Sequence, residues 1–135
     1  MKTAVRYYTQ TGNTKKLADA LAEELGVEAK SVSEPLEEDT EILFLCNSVY
    51  WAGIDRHVRQ FVKDNAPKIG TLVNVSTAAM VESTYTQMKK LAAAEGVRLC
   101  DREFHCRGKF AALHAQRPNE DDLKAVREFA RGLVE

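Results

Sequence analysis

Five consecutive apolar residues, Ile42-Leu43-Phe44-Leu45-Cys46, restrict this chain more than any other stretch. The run is far short of the roughly 20 residues that cross a bilayer, and it has the length of a strand covered on both faces. A strand apolar on both faces belongs to a parallel sheet, because the crossover connections of such a sheet lay helices over both sides. An apolar share of 44% against 29% charged residues fits one ordinary globular core, not a disordered or fibrous chain. At 135 residues, a single domain over 1–135 is expected.

The flanking sequence supplies the helices. Thr3 to Tyr8 alternates and is rich in strand formers, then passes through a short polar loop into a helical pattern. From Asn13 to Leu25 the residues Leu17, Ala18, Leu21, Ala22 and Leu25 share one face, and Gly26 supplies the stop. Val27 to Val32 reads as a weak strand. Glu34 to Asp39 reads as an acidic surface connection whose charges face solvent.

Beyond the apolar run, Ile54, Val58, Phe61 and Val62 mark the inner face of a second helix that should end before Pro67. Gly70 to Val75 predicts a fourth strand. A helix from Ser83 to Glu95 follows, with Tyr85, Met88, Leu91 and Ala92 inward, and Val97 to Phe104 predicts a fifth strand. After a loop from His105 to Pro118, Asn119 can cap a last helix with Asp122 at its third position and Leu123, Val126, Ala130 and Leu133 inward. The alternation of strands and helices implies an α/β fold, a doubly wound parallel sheet with helices on both faces.

Several function classes are disfavoured. A net charge of −1 with interspersed signs gives no basic face for nucleic acid. Three cysteines, Cys46, Cys100 and Cys106, lack C-x-x-C spacing, which argues against a disulfide framework, a redox dithiol or a zinc site, so no metal is expected. The first residues lack the features of a secretory signal and no stretch spans a membrane, so a cytoplasmic location is the expectation.

In an open parallel sheet, ligands bind beyond the carboxyl ends of the strands. The loop Thr9-Gln10-Thr11-Gly12-Asn13-Thr14 carries three hydroxyls and one glycine directly before a helix, so its N–H groups can converge on an anion. Neither G-x-x-x-x-G-K-[ST] nor G-x-G-x-x-G is present, which leaves a phosphomonoester as the best fit. A helix cap alone would need only one of these hydroxyls.

The pattern [ST]-x-T-G-x-T after the first strand resembles the phosphate loop of flavodoxins, which bind FMN. Asn47-Ser48-Val49-Tyr50-Trp51-Ala52-Gly53 is similar to the family's first flavin loop, and Ser76-Thr77-Ala78-Ala79 to its second. Phe104-His105-Cys106-Arg107-Gly108-Lys109-Phe110 resembles the F-x-C-[KR]-G-K segment of short flavodoxin-like proteins. Ala79 departs from the family by standing where glycine is frequent, and the near-neutral charge departs from the acidity usual in the carriers.

The resemblance implies a flavodoxin-like three-layer sandwich, with a five-stranded parallel sheet of order 2-1-3-4-5. It implies FMN held by residues 9–14, with Tyr50 or Trp51 against a face of the ring and backbone N–H groups of Ser76, Thr77 and Ala78 at its edge. Ala52-Gly53 lets a peptide turn towards the ring, and Cys106 and Gly108 lie in the fourth segment. No residue is assigned a catalytic role, because Cys106 has no partnering base. The expected function is a low-potential electron carrier that docks transiently with redox proteins. The alternatives are a flavin-dependent NAD(P)H or quinone oxidoreductase, and an FMN-free interaction domain that kept the fold.

Overall fold

The two strands at the centre of the sheet, β3 (Thr40–Ser48) and β4 (Ile69–Thr77), run parallel, in register from Thr40 opposite Ile69 to Ser48 opposite Thr77. The computed structural model describes residues 2–9, 12–48, 54–77, 84–106 and 118–134. Both strands are longer than the sequence suggests. They extend past the apolar run into Asn47-Ser48 and Ser76-Thr77, polar residues that are nonetheless buried. Polarity marks the carboxyl ends without ending the ladder.

β1 (Thr3–Tyr7) pairs with β3 on one side and with the short β2 (Ala29–Ser31) on the other. On the far side of β4 lie β5 (Arg98–Leu99) and β6 (Phe104–Cys106). The order is β2-β1-β3-β4-β5 with all pairings parallel, as expected. The expected single fifth strand is corrected to two pieces. Leu99 pairs with Leu72 and Phe104 with Val75, so β4 advances three residues while its neighbour advances five. The surplus is taken up at Cys100 to Glu103, where the chain bulges from the edge.

Side chains alternate across the central strands and build two cores. Phe44, Cys46, Val73 and Val75 meet Leu17, Ala18 and Leu21 of α1 (Asn13–Leu25) and Val126 and Ala130 of α4 (Glu120–Val134). Leu43, Leu45 and Leu72 meet Val58, Phe61 and Val62 of α2 (Arg56–Asn65) and Met88 and Ala92 of α3 (Tyr85–Glu95). The helix boundaries follow from local chemistry. Gly26 closes α1 in the left-handed conformation, Asp55 caps α2 through the His57 N–H, and Asn119 and Asp122 bond reciprocally at the start of α4. Tyr85 is half-buried instead of part of the inner stripe, because its hydroxyl reaches out to the Cys100 carbonyl at the bulge.

The acidic connection between β2 and β3 is more than a solvated face. No helix covers this crossover. Leu36 drops into the α2/α3 core instead, only 2% exposed, while its neighbours Pro35, Glu37 and Glu38 stay exposed. Three side chains hold the segment by its backbone. Arg6, itself buried, donates to the Glu34 and Pro35 carbonyls at 2.9 and 3.1 Å, Lys68 donates to the Leu36 carbonyl, and Asn65 Oδ1 accepts from the Leu36 N–H. Burial pushes the Arg6 pKa down while Glu34, Glu37 and Glu28 oppose that shift.

Leu36→Ala should therefore cost about 2–4 kcal/mol, as for a core leucine. Glu37→Ala should stay within about 0.5 kcal/mol of wild type. Urea unfolding midpoints with unchanged slopes check both values.

Candidate functional site

The order in which strands are laid down reverses between β1 and β3: after β1 the path moves outward to β2, then returns across β1 to β3. The crevice at such a switch point, beyond the carboxyl ends, is where doubly wound sheets bind ligands. Four polar stretches converge on it: Thr9 with Gly12 to Thr14, Asn47-Ser48, Ser76-Thr77 and His105-Cys106.

The turn into α1 departs from an ordinary helix start. Gly12 occupies the N-cap position at φ 87, in the left-handed region, and as a glycine it brings no side chain of its own to cap the helix. Thr9 Oγ1 instead accepts from the Gly12 N–H at 2.9 Å, which folds the loop back on itself. A Cβ built on Gly12 meets no atom within 4 Å, so the glycine is required by its conformation and not by crowding. The first-turn amides lack carbonyl partners within the helix, and the turn carries no acidic residue. Together these features leave a positive backbone terminus without a side-chain anion of its own. Lys15 does not supply a free cation, since it pairs with Asp19 at 2.9 Å, and that carboxylate raises its pKa.

Across the sheet ends the register sets two rows. Ser48, Thr77 and Cys106 stand side by side on the face covered by α1 and α4, and Asn47, Ser76 and His105 on the face of α2 and α3. Thr14 is fully buried, and its hydroxyl lies 3.0 Å from that of Thr77. The start of α1 is thereby locked to the end of β4. One bond between two hydroxyls uses one proton, so the pair keeps a second proton to donate.

The Ser48 and Ser76 hydroxyls are buried and find no hydrogen-bond partner among the described residues. An unpaired buried hydroxyl costs roughly 1–3 kcal/mol, and such groups concentrate where a ligand or water completes them. Two of them stand on adjacent strand ends, Ser48 on the α1/α4 face and Ser76 on the α2/α3 face, and fit a ligand that carries several polar groups.

Of the expected site residues, Thr9, Gly12, Asn13, Thr14, Asn47, Ser48, Ser76, Thr77 and Cys106 are brought together at this end of the sheet. Gln10, Thr11, Val49, Tyr50, Trp51, Ala52, Gly53, Ala78, Ala79 and Gly108 lie outside the described residues. Cys106 is corrected from a loop thiol to the last residue of β6, buried against the α1/α4 core. Burial also drives the Cys46 thiol strongly upward in pKa, so it stays protonated and unreactive. His57 is exposed as expected, yet it is not simply solvated. Its ring stacks on Tyr8 with centroids 4.9 Å apart, and Nδ1 lies 2.7 Å from Asp55 Oδ1.

Sequence reasoning missed Asn74, Thr84 and Glu103, which form a polar cluster with Asn47 beneath the site. The signal was present in Leu72-Val73-Asn74-Val75, since an amide inside a strand buried on both faces must find internal partners.

A family model described as a flavodoxin domain matches residues 4–112. The chain belongs to the flavodoxin domain family. An uncharacterised protein of Methanocaldococcus jannaschii is 23% identical over 136 residues, covering 90% of each sequence. Among solved structures, an archaeal flavodoxin superposes with a TM-score of 0.76 at 14% identity, covering 98% of this chain and 96% of that one. Flavodoxin 1 of Bacillus cereus gives 0.74 at 14% identity over 99% and 97%. At these identities the structures establish the flavodoxin fold. Among the described residues no cluster of His, Cys, Asp or Glu could hold a metal ion, and no helix is long and apolar enough to cross a membrane.

The Thr14–Thr77 lock should register as a coupling energy. Thr14→Val and Thr77→Val should each destabilise the protein, and the double variant should lose about 1 kcal/mol less than their sum, in a double-mutant cycle read by urea unfolding.

Proposed function

We propose that this protein holds FMN at the carboxyl end of its sheet and serves as an electron carrier. The observation that carries the reading is the start of α1 at the switch point of the sheet, where a left-handed Gly12 stands at the N-cap and the first turn carries no acidic residue, a helix terminus that favours an anion. Membership of the flavodoxin family supports a flavin as the bearer of that anion.

The residues divide the work. The amides of the first turn of α1 hold the phosphate, and the Thr9 hydroxyl shapes the turn by accepting from Gly12. The Ser48 and Ser76 hydroxyls, and the spare proton of the Thr14–Thr77 pair, offer hydrogen bonds to the polar groups between phosphate and ring. The aromatic contact with the ring falls to Tyr50 or Trp51, in the segment that follows β3. Bound FMN supplies one-electron and two-electron redox chemistry that the side chains lack.

A net charge of −1 provides little long-range steering, so recognition of a redox partner rests on short-range contact in a small, transient interface. With three cysteines outside any dithiol motif, the reading places this carrier in the cytoplasm.

Flavin binding is tested by titrating the apoprotein into FMN and into riboflavin and following flavin fluorescence. Wild type should bind FMN more tightly than riboflavin. Gly12→Ala should weaken FMN about tenfold, as expected for losing one charge-assisted hydrogen bond, and riboflavin by no more than about twofold. Gly26→Ala, which carries the same left-handed penalty of about 1–2 kcal/mol at the other end of α1, should lose stability and keep both affinities. Equal losses for the two flavins in Gly12→Ala would remove the phosphate assignment. Rapid direct turnover with NAD(P)H or a quinone would overturn the carrier role.

A further inference from the structure

Thr84 occupies the N-cap position of α3, where a threonine ordinarily accepts from a first-turn amide, yet it makes no cap hydrogen bond. Its hydroxyl turns inward. Thr84 Oγ1 donates to Asn47 Oδ1 at 2.7 Å, Asn47 Nδ2 donates to Asn74 Oδ1 at 2.8 Å, and Asn74 Nδ2 donates back to Thr84 Oγ1 at 3.0 Å. The three side chains close a ring in which each donates once and accepts once, and all three residues are fully buried.

The remaining amide protons are also used. Asn47 Nδ2 reaches the Leu45 carbonyl at 3.0 Å, and Asn74 Nδ2 reaches Glu103 Oε1 at 3.5 Å, the residue that leads into β6. A closed ring of this kind polarises its own members in a low-dielectric setting, and every bond lost strands a buried polar atom.

The ring's placement gives it a role beyond packing. Asn47 stands one residue before the end of β3, from which residues 49–53 depart. Asn74 stands in β4 three residues before its end, from which residues 78–83 depart, and Thr84 is where that segment rejoins the described fold. The two segments that resemble flavin loops are therefore rooted on one hydrogen-bonded ring. The backbone ladder already fixes Ser48 against Thr77; what the ring adds, and an apolar triad would not, is a directional hold on Thr84, where residues 78–83 return, against both strands.

We propose that Asn47, Asn74 and Thr84 are positioning residues that hold the root of the second loop, at Thr84, against the root of the first, at the end of β3, and so set the affinity for the ring portion of the ligand. The ligand part rests on the FMN reading above. The coupling of the two roots does not.

The test compares Thr84→Val, which keeps the shape and removes the hydroxyl, with Thr84→Ser, which restores it. Leu36→Ala serves as a destabilised control remote from the ring. In Thr84→Val, the dissociation constants for FMN and riboflavin should rise by the same factor, about tenfold, because the loss falls on the ring side and spares the phosphate. Thr84→Ser should return both to within about twofold of wild type. Leu36→Ala should leave both unchanged.

Amide hydrogen exchange on the apoproteins gives the second readout. Thr84→Val should speed exchange about tenfold at Asn47-Ser48 as well as at Ser76-Thr77, relative to Leu36→Ala adjusted to equal global stability with urea. Exchange at those four amides that matches the control, or flavin affinities unmoved by Thr84→Val, would overturn the proposal. Failure of wild type to bind any flavin would overturn the FMN reading, and the exchange comparison would still decide whether the ring couples the roots.

Discussion

Burial of β3 and β4 on both faces is the constraint from which the rest follows. A strand with Phe44 and Cys46 on one side and Leu43 and Leu45 on the other needs two apolar layers, and one chain supplies them by returning over each face in turn. That demand puts α1 and α4 on one side and α2 and α3 on the other. It also sends the carboxyl ends of the central strands, and every segment leaving them, to the same edge of the molecule. The candidate site is where the sheet's covering layers stop and its polar ends begin.

Elements governed by local periodicity were legible in the sequence. The inner face of α2, Val58, Phe61 and Val62, is buried in full together with Ile54 just before it, and the reciprocal Asn119–Asp122 cap is where the sequence places it. Features that depend on distant partners were not. Leu36 reads as one apolar residue in an acidic stretch until Arg6, Asn65 and Lys68 are seen to hold its backbone over the core. The bulge at Cys100 to Glu103 has no local signature, because it arises from a mismatch with the register of β4.

The site shows the same division. The turn at Gly12 was visible as a motif, but its direction of bonding, with Thr9 accepting from the Gly12 N–H, depends on how the loop folds back and has no signature in the sequence. Thr14 illustrates how a residue can serve a site from beneath: its hydroxyl lies against that of Thr77 in the core, joining the start of α1 to the carboxyl end of β4. Ser48 and Ser76 complete the contrast: Ser48 directly follows the fully bonded Asn47 and Ser76 closely follows the fully bonded Asn74, yet neither finds a partner among the described residues where the crevice begins.

The divided fifth strand has a mechanical consequence. β5 and β6 contribute two and three paired residues to β4, with slack chain between them, whereas β3 holds β4 along its whole length. Tension across the sheet would therefore be released at this margin first, one short patch at a time, and the central pair would bear load last. Because Tyr85 and Arg102 tether the slack to α3 and α4 through the Cys100 and Gly132 carbonyls, such peeling would stay confined to the border and leave the middle of the molecule shut.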